Sequence, residues 1–281
     1  MKKHFTFSSS TKKYLLLGLL VVVLAGSAIW LKYFSPYAPE PLFSSANEEL
    51  PHWAHSVIPF EMTLKNYAGA SWERPLVTAE SKWEIAGAYN YKHSKELDPS
   101  FRCYPPVIPI QLGMNVCAIN ADNDWVAIGG YGTGSEDPTH INGGIIILND
   151  FYLNTLGSMY NTDIWRNHIT CRFLGWTMGA PYRADPPELT QSCMNILPED
   201  MLTPKTMQNP DAVDLANIYE LYNHVDSESK AMNSSVQETL ARSLKSGDLG
   251  PITQSLNGGK IELHELDLGD GYVFHSMIQK K

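Results

Sequence analysis

Apolar and polar positions along the chain follow two different periods. Val57 to Leu64 has the character of a β-strand. From Trp72 to Ala86, the residues Leu76, Ala79, Trp83 and Ala86 recur at three- and four-residue intervals, which predicts a helix. Val107 to Ile119 is apolar and β-rich with a turn near Gly113, and Asp124 to Gly130 continues the strand pattern. Gly143-Gly144 leads into Ile145-Ile146-Ile147-Leu148, a buried strand by composition. Trp165 to Gly179 predicts a second helix. Asn209-Pro210-Asp211 opens a third, with Asn as cap, Pro in the first turn and Asp at the positive end of the dipole. Leu215, Ile218, Tyr219 and Tyr222 form its apolar stripe. From Gly259 to Gln279 the alternation around Gly269-Asp270-Gly271 predicts a hairpin. Strands lead, helices follow, and a strand stands between: the expected fold class is α+β.

Composition narrows the function classes. The chain has 281 residues, 43% of them hydrophobic and 18% charged, which supports a sizeable core and excludes global disorder. Its formal charge of −9 lacks the basic surface of a nucleic-acid binder, so no nucleic-acid partner is expected. A mean hydropathy of −0.21 excludes a polytopic membrane protein and leaves room for one span. Lys2, Lys3, Lys12 and Lys13 precede an uncharged run from Tyr14 to Leu31, about 18 residues and near the lower limit for crossing a bilayer. The basic flank stays cytoplasmic by the positive-inside rule. The competing reading is a cleaved signal peptide, with small residues at Gly26-Ser27-Ala28. Either way the rest is exported: a single-pass protein with an extracytoplasmic domain, or a secreted one. The expected organisation is a basic segment (1–13), a signal-anchor or signal peptide (14–31), a linker (32–52), a folded domain (53–227) and a C-terminal extension with a hairpin (228–281).

Export bears on the cysteines. Cys103, Cys117, Cys171 and Cys193 all follow the apolar segment, and an even number in an oxidising compartment suggests two disulfides. Three pairings are open, of which the sequential one closes the two shortest loops. Elsewhere the chemistry is sparse. His52-Trp53-Ala54-His55 offers two imidazoles three residues apart, but it lies beside the linker with no third ligand nearby in sequence. Gly129-Gly130-Tyr131-Gly132-Thr133-Gly134 lacks the Lys-Ser/Thr ending of a phosphate loop and reads as a turn. Asn233-Ser234-Ser235 matches a three-residue glycosylation acceptor.

One succession is more specific. Thr139 to Asp150 (THINGGIIILND) is followed by Tyr160 to Asn167, then by Thr170-Cys171-Arg172-Phe173-Leu174-Gly175-Trp176-Thr177-Met178-Gly179-Ala180-Pro181-Tyr182-Arg183. Ser192-Cys193-Met194-Asn195 and Asn209 to Tyr219 come later. From Trp53 to His224 this order resembles the metzincin clan of zinc metalloproteases, matrixin-like secreted forms in particular. The resemblance implies a twisted mixed sheet, two long helices, a Met-turn at Met194 and a C-terminal helix. It implies the disulfide Cys171–Cys193, which leaves Cys103–Cys117 as the second bridge. It also implies a peptide-binding edge strand over Gly144, Ile145, Ile146, Ile147, Leu148 and Asn149, where an extended peptide or protein segment adds by main-chain hydrogen bonds.

The departure falls on the chemistry. With Gly175 and Gly179 on the two glycines of H-E-x-G-H-x-x-G-x-x-H, the three histidine positions hold Arg172, Trp176 and Tyr182, and the glutamate position holds Phe173. Zinc needs imidazole, thiolate or carboxylate donors. Arg offers no lone pair, Trp only a donor, and Phe cannot take a proton from water. The resemblance therefore implies a pseudoprotease with no cofactor, acting by binding. Two alternatives stand beside it. One is an active zinc endopeptidase with displaced ligands drawn from His140, His168 or His224. The other is a structural domain of envelope assembly.

Overall fold

The computed structural model describes residues 50–95, 113–134, 136–183, 191–196, 204–226 and 232–281. Strand β1 (Phe60–Asn66) alternates inward and outward, sending Phe60, Met62 and Leu64 into the core. The chain crosses through helix α1 (Ala70–Trp83) and a short 3₁₀ turn (Glu84–Ala86) and returns as β2 (Tyr89–Lys95), parallel to β1. Strand β3 (Met114–Ile119) is parallel to β1 on its other side, and β5 (Asp137–Asn149) is parallel to β3. Strand β4 (Trp125–Gly134) runs antiparallel to β5. The hairpin expected in the tail is present as β7 (Ile261–Gly269) and β8 (Tyr272–Lys280), preceded by β6 (Ile252–Leu256). Its turn uses positive φ at Gly269, Asp270 and Gly271. All eight strands form one mixed sheet in the order β2-β1-β3-β5-β4-β8-β7-β6. The extension after residue 227 thus completes the sheet of the preceding domain. The parallel half, with its β1-α1-β2 crossover, is a mixed α/β arrangement that a strands-then-helices reading does not capture.

Both faces of the sheet are covered. On one face α3 (Asp163–Thr177) is buried along its whole second half, from His168 to Thr177, and packs with α1 against Ile146 and Leu148. On the other, α5 (Ser234–Ser246) sets Val236, Leu240 and Leu244 against Ile145, Ile147 and Phe274. Ile145 to Leu148 is therefore apolar at every position because both faces of β5 are core. The short helix α2 (Asp150–Leu153) follows β5 and is capped by the Asn149 side chain, which accepts from the Phe151 N–H. Helix α4 (Ala212–Tyr222) starts two residues later than Asn209 suggests. Asp211 caps it in a reciprocal box with Asp214, while the Asn209 carbonyl accepts from the Cys193 N–H. Asn233 serves as the cap of α5, accepting from the Val236 N–H at 2.9 Å.

Three further expectations need correction. Gly129 to Gly134 is not a turn but the second half of β4. Its glycines serve close approach: a Cβ on Gly129 would sit 2.2 Å from Cδ1 of Phe173, and one on Gly130 2.3 Å from Cζ of Phe274. Gly144 to Asn149 is not an edge strand, because β3 pairs with it on one side and β4 on the other. No main-chain face is left there for a peptide to join. His52, placed in the linker by composition, is buried, and its main chain bridges to His140, with the His52 N–H on the Thr139 carbonyl at 2.8 Å. Among the described residues no helix is long and apolar enough to cross a membrane, and residues 14–31 lie outside them.

Candidate functional site

The four positions of the degenerate motif lie on α3 and the segment just after it, and all four are buried. Arg172 is 1% exposed. Its Nε donates to the Cys193 carbonyl at 2.9 Å, one terminal nitrogen donates to Oε1 of Gln279 at 2.8 Å, and the other donates to the Asn195 carbonyl. Burial lowers the guanidinium to about 9. The carboxylates that stand near Arg172 in sequence, Asp185 and Glu188, lie outside the described residues. Phe173 fills the notch above Gly129. Trp176 packs between Tyr131 and Tyr182, with ring centroids at 5.6 and 6.1 Å. The Tyr182 hydroxyl donates to the Gln254 side chain, and burial pushes this phenol up to about 12, so no phenolate forms at neutral pH. The donor set at these positions is one cation, one indole N–H, one hydrocarbon ring and one neutral phenol, which does not fit a zinc ion.

The C-terminal extension closes over these positions. Gln279 and His275 come from β8 and Gln254 from β6; they meet Arg172, Tyr131 and Tyr182 respectively, His275 stacking on Tyr131 at 5.3 Å. Strand β4, which would otherwise end the first half of the sheet, is paired along its length with β8 from Trp125 to Gly134.

Cys171 and Cys193 are bridged, joining α3 to the turn at residues 192–195. Met194 is buried in that turn, its N–H on Oγ of Ser192 at 2.8 Å, and its sulfur lies 2.7 Å from where a Cβ on Gly175 would stand. Gly179 has φ +81 and abuts the Pro51 carbonyl, so both register glycines are required by their surroundings. Cys117 is buried on β3 and disulfide-bonded, while Cys103 lies outside the described residues.

The displaced-ligand histidines separate into two places. His168 faces the Met207 carbonyl from within α3; burial and the Arg172 charge push it well below the ordinary imidazole range. His140 and His224 instead meet His52, His55 and Asp226. Trp53 positions this group, its indole N–H on the Thr177 carbonyl at 2.9 Å and its backbone N–H on the Tyr222 hydroxyl at 3.2 Å. Asp226 lies 3.2 Å from His52 Nε2, 3.2 Å from His55 Nδ1, 3.4 Å from His140 Nε2 and 2.9 Å from His224 Nε2. Burial would raise this carboxyl, but His52, His224 and His140 together hold it below the usual carboxylate range. Burial lowers His52 against the opposing pull of the Leu50 carbonyl and Asp226. Sequence spacing found no third donor beside His52 and His55 because the others arrive from β5 and from the end of α4. The pair His224-Val225-Asp226 was the available signal.

No family model matches the chain, and no curated protein matches it. Among solved structures, that of myroilysin is similar to it at a TM-score of 0.34 and 10% identity, over 61% of this chain and 96% of that one. A likeness of that size carries no argument about fold or activity.

One prediction concerns the motif position Arg172 and another the buried His168 on the same helix. Arg172→Met and Gln279→Ala should each destabilise the protein. Their double-mutant cycle should return a coupling of about 1.5–3 kcal/mol, the range for a hydrogen bond to a charged group; additive effects would show that the extension is not held by Arg172. For His168, the folded value lies below the unfolded one, so the native state binds fewer protons and stability falls as pH drops below about 6.5. Between pH 7.5 and 5.5 this one group should lower the unfolding free energy. Denaturant titrations at both pH values should show that difference shrink in His168→Asn.

Proposed function

We propose that this chain is an extracytoplasmic, membrane-anchored or secreted domain with a metalloprotease-like layout that binds rather than cuts. The observation that carries the reading is the state of Arg172, Phe173, Trp176 and Tyr182. Each is buried, and three of them are engaged directly or through Tyr131 by residues of the chain's own C-terminal extension. A hydrolytic centre needs an open ligand position for water and a group to take its proton, and neither chemistry is available from these side chains. Filling such a place with apolar bulk and a hydrogen-bonded guanidinium avoids the cost of an empty polar cavity.

The partner class remains an extended peptide or protein segment, but its docking place moves. Strands β5 and β4 are paired on both sides, whereas β6 and β2 end the described sheet. Strand β6 is the more accessible of the two, with Ile252, Thr253 and Ser255 exposed. It follows that addition of a strand at β6 is the mode this geometry favours. The basic N-terminal flank and the uncharged run from Tyr14 to Leu31 support attachment to a membrane.

The exported part, incubated with unfolded protein substrates, should cleave none of them, with or without added zinc, and Arg172→Met should leave that result unchanged. Zinc-dependent cleavage that copurifies with the chain and is abolished by chelation would overturn the reading.

A further inference from the structure

The His52 cluster is separate in its residues from the degenerate motif, and its geometry carries an inference independent of the reading above. Three donor atoms, His52 Nε2, His224 Nε2 and a carboxylate oxygen of Asp226, all lie within 4.8 Å of one another. The two imidazole nitrogens stand 3.0 Å apart, His52 Nε2 lies 3.2 Å from Asp226 Oδ2 and His224 Nε2 lies 2.9 Å from Asp226 Oδ1. Donors bound tetrahedrally at about 2.0–2.1 Å stand about 3.3 Å apart, so the two nitrogens are already near that spacing and the carboxylate presents an oxygen to each.

The surroundings set the donors in the state a metal needs. His52 Nδ1 lies 3.2 Å from the Leu50 carbonyl, which can only accept, so the tautomer that donates there leaves Nε2 with the lone pair a metal would use. His55 has Nε2 3.0 Å from the Tyr222 carbonyl and Nδ1 3.0 Å from the Trp53 carbonyl. Its Nδ1 also lies 3.2 Å from Asp226, so the ring braces the carboxylate. His140 is tied through Nδ1 to Asp137 at 2.6 Å and brings Nε2 against the same Asp226 carboxylate. His52 Nε2 and His224 Nε2 converge on the two oxygens of one carboxylate, at 3.2 Å from Oδ2 and 2.9 Å from Oδ1 of Asp226. A cation bound among them would be met by both imidazoles and the carboxylate at once. The His224 side chain is 41% exposed, which gives an ion its way in from solvent.

We infer that His52, His224 and Asp226 bind a divalent first-row transition ion of the zinc class, with His140 and His55 orienting the carboxylate. Two nitrogen donors and one oxygen suit zinc, cobalt, nickel or copper and argue against calcium, which takes oxygen ligands throughout. The ion would staple the segment before β1 to the end of α4. The Asp226 N–H already meets the His55 carbonyl there at 2.8 Å.

Calorimetric titration of the full chain with zinc chloride, after chelator treatment and dialysis, should give one zinc per chain. Cobalt(II) should give the intense visible absorption of a low-coordinate site. His224→Ala and Asp226→Asn should each weaken zinc binding at least tenfold, while His264→Ala, outside the cluster, should not. His224 is the most exposed of the donors, so its substitution leaves the fold in place. The cobalt spectrum of the unmodified chain provides a readout that needs no variant. Absence of zinc binding by the unmodified chain, or binding unchanged in both His224→Ala and Asp226→Asn, would overturn the inference.

Discussion

One buried guanidinium organises the centre of this protein. Arg172 sits inside a hydrophobic core, where a lone charge would be costly, and it is tolerated because three oxygen acceptors from two other segments surround it. Two are main-chain carbonyls of the turn at Cys193 and Asn195, and the third is Gln279 on the last strand. The same helix is tied covalently to that turn one residue earlier, through Cys171. The helix, the turn and the C-terminal strand are thereby held together at one point, by a group of the wrong chemistry for a metal and the right chemistry for carbonyls.

The sheet explains why this point stays closed. Strand β4 is narrow, with glycines at 129, 130, 132 and 134, so α3 can approach one face through Phe173 while Phe274 approaches the other. Its outer edge is taken by β8. A protein segment that would have to enter from outside in an open cleft is here supplied by the chain itself, and the main-chain groups of β4 are satisfied internally. The histidine cluster at Asp226 shares no residue with this arrangement.

The legible and illegible parts of the fold differ in the range of the interactions behind them. Helix spacing from Trp165 to Gly179, the unbroken apolar run Ile145 to Leu148 and the Gly269-Asp270-Gly271 hairpin are local signals; the helix and hairpin appear close to their expected bounds, and the apolar run is the end of a strand that begins at Asp137. The Cys171–Cys193 bridge came from family-like ordering, not from spacing. Strand pairing is different. Strand β5 is covered by β3 and β4, which precede it, whereas whether β4 is an edge depends on β8, more than a hundred residues further on, and no local pattern announces either pairing. The glycines of β4 resemble a loop because the large side chains that need their space, Phe173 and Phe274, belong to other elements. The cap of α4 was misplaced by two residues for a smaller reason: Asn209 and Asp211 both suit a cap, and the reciprocal partner Asp214 selects the second. For the histidine cluster, the donors arrive from before β1, from β5 and from after α4, so the sequence near His52 holds too few of them.

The central claim is that the extension is a fixed part of the domain and keeps the motif positions closed. Native-state hydrogen exchange measures this directly. The amides of β8 facing β4, from Tyr272 to Gln279, should exchange as slowly as those of β5, with and without an added extended peptide. Fast exchange confined to β8, with β5 still protected, would mean that the hairpin detaches from an intact domain and leaves β4 open to a substrate, and the account would be wrong.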